Sequence, residues 1–188
     1  TLTGNANSNG AVTLNMTTAL AADLDAHYTF ESATVSGSTV NDQSVGTSYN
    51  GTLNGDAAIT ADAERGDVLS LDGSGDFMQV TGLIGEPSDV TLSAWINTSS
   101  TDAIGANIIS MGESPALYLH TDGTLIGYYE SGGTNNLAQS TTSLLGTGWR
   151  HVAVSIDGTN TSMTLYVDGA VVTTLDSIGP IEYDNSPD

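Results

Sequence analysis

Pairs of carboxylates two residues apart are the first feature of this 188-residue chain that could do chemistry. Hydrolysis of a glycosidic bond needs two carboxyl groups, one that protonates the leaving oxygen and one that attacks or activates water. Alternate positions of a β-strand would hold such a pair on one face. The candidate pairs are Asp23/Asp25, Asp62/Glu64 and Glu182/Asp184. None lies in an alternating strand pattern with a third carboxylate, so the sequence predicts no catalytic residues and a protein that is not an enzyme.

A nucleophilic mechanism has no better support. The histidines His27, His120 and His151 have no nucleophile motif beside them, and the Gly-x-Ser-x-Gly pattern does not occur. The chain contains no cysteine, which excludes disulfides and thiolate metal sites.

Oxygen ligands for a hard cation occur in DQSVGTSYNG. Asp42, Ser44 and Asn50, together with loop carbonyls, are the ligand types that Ca²⁺ prefers. The alternative is an Asx-turn in which Asp42 binds its own backbone. A second stretch, DGSGD at 72–76, begins like a calcium loop but lacks a distal glutamate, and we interpret it as a hairpin turn.

Aromatic and amide side chains provide a candidate sugar-binding set. Sugars bind proteins through an aromatic platform and a few polar groups that contact hydroxyls. The predicted ligand-binding residues are Trp95, Tyr118, His120, Tyr128, Asn135 and Asn136. Packing is the competing explanation for Trp95, and alternation with Leu125 predicts that Tyr129 belongs to the core.

The charge balance excludes several partners. The chain has 22 acidic residues against two basic ones, Arg65 and Arg150, and a net charge of −20. Such a chain repels nucleic acid and anionic lipid surfaces. No apolar run approaches the ~20 residues that span a bilayer, so no membrane insertion is predicted. The composition is similar to that of secreted modules of marine or salt-adapted bacteria.

Short alternating apolar runs between turn signals must position these residues. The runs are 11–16, 27–32, 67–73, 76–80, 89–97, 107–112, 116–123, 124–130, 150–157, 162–169 and 170–175. Asp-Gly turns follow several of them. About a dozen strands at this spacing predict a two-sheet antiparallel sandwich or jelly roll. The polar segment 130–143 is predicted to be a surface loop.

Three stretches in order carry a family resemblance: DQSVGTSYNGTLNG, then DVLSLDGSGDFMQVTG followed by DVTLSAWIN, and then GWRHVAVSIDGTNTSMTLYVDG. Their order and spacing, over roughly residues 20–180, resemble the laminin G-like branch of the concanavalin A-like lectin jelly-roll domains. The resemblance implies an all-β jelly-roll sandwich over residues 1–188. It also implies a structural Ca²⁺ at the Asp42 loop, completed by an aspartate from a closing strand.

That closing strand has no counterpart before the sequence ends in IGPIEYDNSPD. Either the run at 11–16 takes its place, or the closing strand lies beyond residue 188 and the domain is split by an insertion. With the acidic composition, the resemblance implies a monomeric, extracellular module of a bacterial surface protein similar to calcium-dependent (RTX-type) adhesins. Its partners would be a glycan or neighbouring adhesin domains. The alternative is a polysaccharide-degrading enzyme or its carbohydrate-binding appendage.

Overall fold

The computed structural model describes residues 5–6, 12–13, 24–82, 85–101, 105–176 and 178–183. It divides into two compact units, Thr1–Gly85 and Glu86–Asp188. Regular structure in the described residues is almost entirely β-strand, and their only helical element is the 3-10 turn Ser32–Thr34. Among them, no helix has the length and apolar character needed to cross a bilayer.

The first unit contains short antiparallel pairings. Its strands are β1 (Asn5–Ala6), β2 (Val12–Thr13), β3 (Val35–Ser36), β4 (Thr39–Val40), β5 (Gly51–Asn54), β6 (Ala58–Asp62), β7 (Gly66–Ser70) and β8 (Phe77–Val80). One sheet has the order β3-β4-β5-β8, while β6 pairs with β7 and β1 with β2. The turn after β5 requires Gly55, which has φ +67°, and whose Cβ would lie 2.6 Å from the carbonyl oxygen of Gly75. The loop before β8 therefore packs directly on this turn.

The second unit contains two four-stranded antiparallel sheets. Its strands are β9 (Asp89–Ile96), β10 (Ala106–Ser110), β11 (Ala116–Leu119), β12 (Thr124–Ser131), β13 (Thr134–Ser143), β14 (Arg150–Asp157), β15 (Ser162–Val167) and β16 (Ala170–Asp176). Sheet I has the order β10-β11-β12-β13, and sheet II has the order β16-β15-β14-β9. This arrangement confirms the predicted all-β, antiparallel two-sheet fold.

The inner faces of sheets I and II share one hydrophobic core. Its buried members are Val90, Leu92, Leu117, Leu119, Leu125, Tyr129, Ala138, Leu144, Val152, Val154, Ile156, Met163, Leu165 and Ile178. Alternation along each strand places these residues inward and their sequence neighbours outward. The sheets approach closely at Gly127, where an added Cβ would lie 2.6 Å from Cγ2 of Val154.

Two tight turns are built from residues with positive φ. Asp168 and Gly169, with φ 50° and 76°, join β15 to β16, and Gly132 and Gly133, with φ 58° and 69°, join β12 to β13. Positive φ at both central residues is the type I′ geometry that matches strand twist. The Asp168-Gly169 turn was predicted from the sequence.

Three local predictions were wrong. Residues 27–32 form no strand. The segment 130–143 is not a loop, because it contains the end of β12, the Gly-Gly turn and the whole of β13. Residues 72–76 do not form a hairpin turn, because β7 pairs with β6 and β8 pairs with β5. Of the run 11–16, the described Val12–Thr13 pairs with Asn5–Ala6, and the rest lies outside the described residues.

The segment after β16 is anchored on the second unit. Ile178 is only 7% exposed, and the Glu182 amide donates to the Glu130 carbonyl at 2.8 Å. The Tyr183 hydroxyl donates to the Pro87 carbonyl at 2.6 Å. The segments that enter and leave the second unit therefore lie side by side. The further closing strand stays a prediction, as does the assignment of residues 1–188 to a single domain.

Candidate functional site

The outer face of sheet I brings together half of the predicted ligand-binding residues. Tyr118 on β11 is opposite Ile126, and Tyr128 on β12 is opposite Ala116 and Leu137. Tyr118 and Tyr128 are therefore diagonal cross-strand neighbours, about 7–8 Å apart and within reach of long aromatic side chains. We call Tyr118, Tyr128, Asn135 and Leu137 the tyrosine platform.

Polar groups lie at one end of this platform. The Tyr128 hydroxyl is 3.4 Å from Oδ1 of Asn135, to which it donates, and Asn135 is opposite Glu130 across the hairpin. Leu137 is 44% exposed. The platform thus combines half-buried aromatic rings, an accessible aliphatic side chain and an exposed amide, which are the groups that contact the apolar faces and hydroxyls of a sugar.

Carboxylates surround the same end. Partial burial raises the pKa of Tyr118, and Tyr128 beside it adds to the effect. Partial burial also raises the pKa of Tyr128, with further contributions from the negative charges of Glu130 and Glu113. Both phenols therefore stay neutral at physiological pH and remain hydrogen-bond donors.

Two other predicted residues, His120 and Asn136, lie off the platform. His120 follows β11 in the turn to β12, where its Nδ1 is 3.2 Å from the Asp122 carboxylate. Hydrogen bonds from the side chain and backbone of Thr124, followed by the contact with His120, lower the pKa of Asp122 to about 2. Asn136 is opposite Tyr129 on the core side of sheet I. Both residues serve local structure in this arrangement.

Trp95 lies on the outer face of sheet II, away from the tyrosine platform. Its side chain is 47% exposed and meets the His151 ring edge-on at a centroid distance of 5.4 Å. Along the same face, a row of hydroxyls crosses all four strands through Thr91, Ser155, Thr164 and Thr174. This row was not predicted from the sequence, because each hydroxyl lies on a different strand and only the register aligns them.

The same face carries a carboxylate pair that sequence spacing could not reveal. Asp89 and Asp157 are directly opposite on β9 and β14. Hydrogen bonds from the side chain and backbone of Asn160 hold the pKa of Asp157 below its usual value, against a small opposing effect of desolvation. A glycosidase acid needs a raised pKa, whereas the lowered pKa of Asp157 keeps it ionised, as a nucleophile or base would be.

The Asp42 loop in the first unit is closed by hydrogen bonds to one carboxylate. Oδ1 of Asp42 accepts from the amides of His27 (2.8 Å) and Ser44 (2.9 Å). Oδ2 accepts from the Ser44 hydroxyl (2.8 Å) and the Tyr49 amide (3.0 Å). Partial burial raises the pKa of Asp42, but these hydrogen bonds outweigh it and lower the pKa below its usual value.

Asn50 completes this loop from the other side. Its Oδ1 accepts from the Asp42 amide at 3.0 Å and from the Ser48 hydroxyl at 2.9 Å. The bond from the Ser44 amide to Asp42 has the pattern of the Asx-turn considered above. The three predicted metal ligands Asp42, Ser44 and Asn50 are thus close together. The side-chain oxygens of Asp42 and Asn50 already accept hydrogen bonds, and the Ser44 hydroxyl already donates one.

A second oxygen cluster brings three carboxylates together, two of which also accept hydrogen bonds from the backbone amides of residues 72–74. Carboxylate oxygens of Asp56, Asp72 and Asp76 all lie within 4.8 Å of one another. Calcium binds oxygens at 2.3–2.6 Å, so oxygens on opposite sides of one ion are about 5 Å apart. All three carboxylates could therefore reach one ion. Asp56 was not among the predicted ligands; it reaches the 72–76 loop because Gly55 packs on Gly75.

Comparison with known proteins agrees with this architecture. Residues 72–187, more than half of the chain, match the laminin G family model described as "Concanavalin A-like lectin/glucanases superfamily". The chain therefore belongs to this superfamily. A crystal structure of an S-layer domain-containing protein from Clostridium thermocellum is similar in fold, with a TM-score of 0.52 and 22% identity, covering 82% of this chain and 73% of that one. No curated protein is significantly similar to the chain.

Proposed function

We propose that this chain is a non-catalytic extracellular adhesion module of a bacterial surface protein, and that it binds carbohydrate on the tyrosine platform. The observation that carries the proposal is the convergence of Tyr118, Tyr128 and Asn135 on one outer sheet face. Neutral tyrosine rings stack on the C–H faces of sugars, while the Asn135 amide and nearby carboxylates can bind hydroxyls.

The comparisons support the proposed setting. The superfamily contains lectins as well as glucanases, and the similar crystal structure comes from a protein with an S-layer domain. A cysteine-free, strongly acidic chain suits a secreted bacterial module, for which we propose a monomeric state. Neighbouring domains of an RTX-type adhesin are the other partners we propose.

Glycan binding is tested with a glycan array followed by titration calorimetry on the best ligand. Tyr118→Ala and Tyr128→Ala are each expected to weaken binding about tenfold or more, because truncating a tyrosine that anchors a binding interface costs about 2 kcal/mol or more. Tyr166→Ala is the matched control, since Tyr166 is a tyrosine of sheet II, paired with Ala153. Unchanged affinity in both platform variants would contradict the assignment of the site.

Two alternatives have specific support. The adjoining segments at 86–88 and 180–183 favour a module that positions a neighbouring ligand-binding domain. The facing Asp89 and Asp157 are the carboxylates to examine for the alternative of a polysaccharide-degrading enzyme. Product analysis of the array ligands would reveal cleavage, and Asp157→Asn would abolish it if this pair were responsible.

Calcium is proposed to stabilise the first unit at Asp56, Asp72 and Asp76. Without a cation these carboxylates repel one another. An ion that binds only the folded state raises the free energy of unfolding by RT ln(1 + [L]/Kd), which is about 2.7 kcal/mol when the ion concentration is a hundred times Kd. We expect millimolar Ca²⁺ to raise the unfolding midpoint reversibly. Asp72→Asn should remove this rise, and Asp42→Asn should preserve it. The opposite pattern would assign the ion to the Asp42 loop.

The hydrogen-bonded carboxylate of Asp42 is expected to make the stability of the fold depend on pH. Its folded pKa lies below the unfolded value of about 3.9, so its contribution is complete above about pH 5 and is lost as the pH falls through the folded pKa. Asp42→Asn in chelator is therefore expected to cost about 1–2 kcal/mol at pH 7, and less at pH 3. Urea unfolding at the two pH values measures this difference; an equal cost at both would show that the ionised carboxylate is not responsible.

A further inference from the structure

Three carboxylates, those of Glu113, Glu130 and Glu182, form an acidic border at one end of the tyrosine platform, and their charge bears on which sugars the platform can bind. Glu113 precedes Ser114, whose buried hydroxyl accepts a hydrogen bond of 2.9 Å from the Glu130 amide. This contact fixes the Glu113 loop beside β12. Glu182 is paired with Glu130 and accepts a hydrogen bond from the Gly133 amide. Three carboxylates therefore lie along one end of the platform.

Among the described residues of the second unit, no lysine or arginine side chain forms an ion pair with this border. In the second unit the only lysine or arginine is Arg150. It forms an ion pair with Asp168, in the turn between β15 and β16. Glu130 lies on the same face of β12 as Tyr128 and opposite Asn135, and the charges of Glu130 and Glu113 both raise the pKa of Tyr128. An anionic sugar placed on the tyrosines would be repelled, and a cationic one would be attracted.

We propose that the tyrosine platform selects amino sugars with a free, protonated amine, and rejects uronic or sulfated glycans. The inference rests on the proposed carbohydrate-binding function and adds the ligand class. An ammonium group beside Tyr128 would face an aromatic ring on one side and the Glu113 and Glu130 carboxylates on the other. This combines a cation–π contact with charge-assisted hydrogen bonds.

The experiment compares three hexasaccharide probes on the full chain by titration calorimetry at pH 6: a β-1,4-glucosamine hexamer, its N-acetylated form and an oligogalacturonate. The glucosamine hexamer is expected to bind about tenfold more tightly than the N-acetylated one, given exposed ion pairs and one cation–π contact. The oligogalacturonate is expected not to bind. Added salt should reduce the preference for the amine.

A charge-matched pair of variants separates the border from the overall acidity of the chain. The double variant Glu113→Gln/Glu130→Gln should lose most of the amine preference and keep its affinity for the N-acetylated hexamer within about twofold. Asp89→Asn/Asp157→Asn removes the same charge from the outer face of sheet II and should keep the preference. If both double variants lost the amine preference equally, the preference would come from the overall negative charge of the chain, and the inference would be overturned.

The outcomes distinguish this inference from the function on which it rests. Binding of both neutral and amine hexamers with equal affinity would overturn the amine selectivity and leave carbohydrate binding on the platform intact. Absence of binding by all three probes would overturn the proposed function together with the inference. Tighter binding of the oligogalacturonate would contradict the electrostatic argument directly.

Discussion

Replacing Tyr129 with alanine is expected to lower the free energy of unfolding by about 3–5 kcal/mol, the usual cost of deleting a large buried aromatic side chain. Tyr129 is fully buried in the core between sheets I and II. Its hydroxyl donates to the carbonyl of Gly179 at 3.1 Å. The residue therefore fills the core and also ties the segment after β16 to it.

The adjacent residue provides the matched control for this prediction. Tyr128 points to the opposite face, and Tyr128→Ala is expected to cost about 1 kcal/mol or less while weakening glycan binding. Tyr129→Phe removes only the hydroxyl and should cost about 1 kcal/mol. Urea unfolding of the three variants measures these differences. Equal losses at positions 128 and 129 would contradict the assignment of their faces.

Placing valine at Gly127 is the second change with a large expected effect. The Cβ of any residue there would lie 2.6 Å from Cγ2 and 3.2 Å from Cβ of Val154, and 3.3 Å from Cδ1 of Leu165. Val154 is β-branched and cannot rotate freely away. We expect Gly127→Val to cost about 3 kcal/mol, the upper part of the range for overpacked cores.

A double-mutant cycle tests the cause. Val154→Ala alone leaves a cavity and should destabilise by about 2–3 kcal/mol. If the clash between these two side chains is responsible, Gly127→Val/Val154→Ala should be more stable than the sum of the single effects by at least about 1 kcal/mol. Additive losses in urea unfolding would mean that Gly127 is required for another reason, such as strand geometry.

The strands of the second unit could be predicted because their inner positions are large and aliphatic. Val152, Val154 and Ile156 alternate with the smaller Ala153 and Ser155 on β14, and all three are buried. β13 gave no such signal, since the residues it buries are the small Ala138 and Ser140. The polar residues of 130–143 therefore resembled a surface loop, and neither the Gly-Gly turn nor β13 was predicted.

For the candidate site, the sequence predicts only which side chains share one face of a strand, because this depends on local alternation alone. Alternation along β11 places Tyr118 on the face opposite to the buried Leu117 and Leu119. Which sheet a strand joins depends on pairings between distant segments, and for this reason Trp95 could not be separated from Tyr118 by sequence. The approach of Asp56 to Asp72 and Asp76 likewise depends on a contact between two turns, which spacing along the chain does not encode.

The adjoining entry and exit of the second unit have a mechanical consequence. Tension applied at residues 87 and 183 would act first on the contact between these two segments, including the Tyr183–Pro87 hydrogen bond, and on the Glu182–Glu130 bridge. Because Glu130 belongs to β12, part of this load would enter sheet I at the acidic end of the tyrosine platform. Tension between the two segments would therefore be felt at the platform as well as at the Tyr183–Pro87 contact.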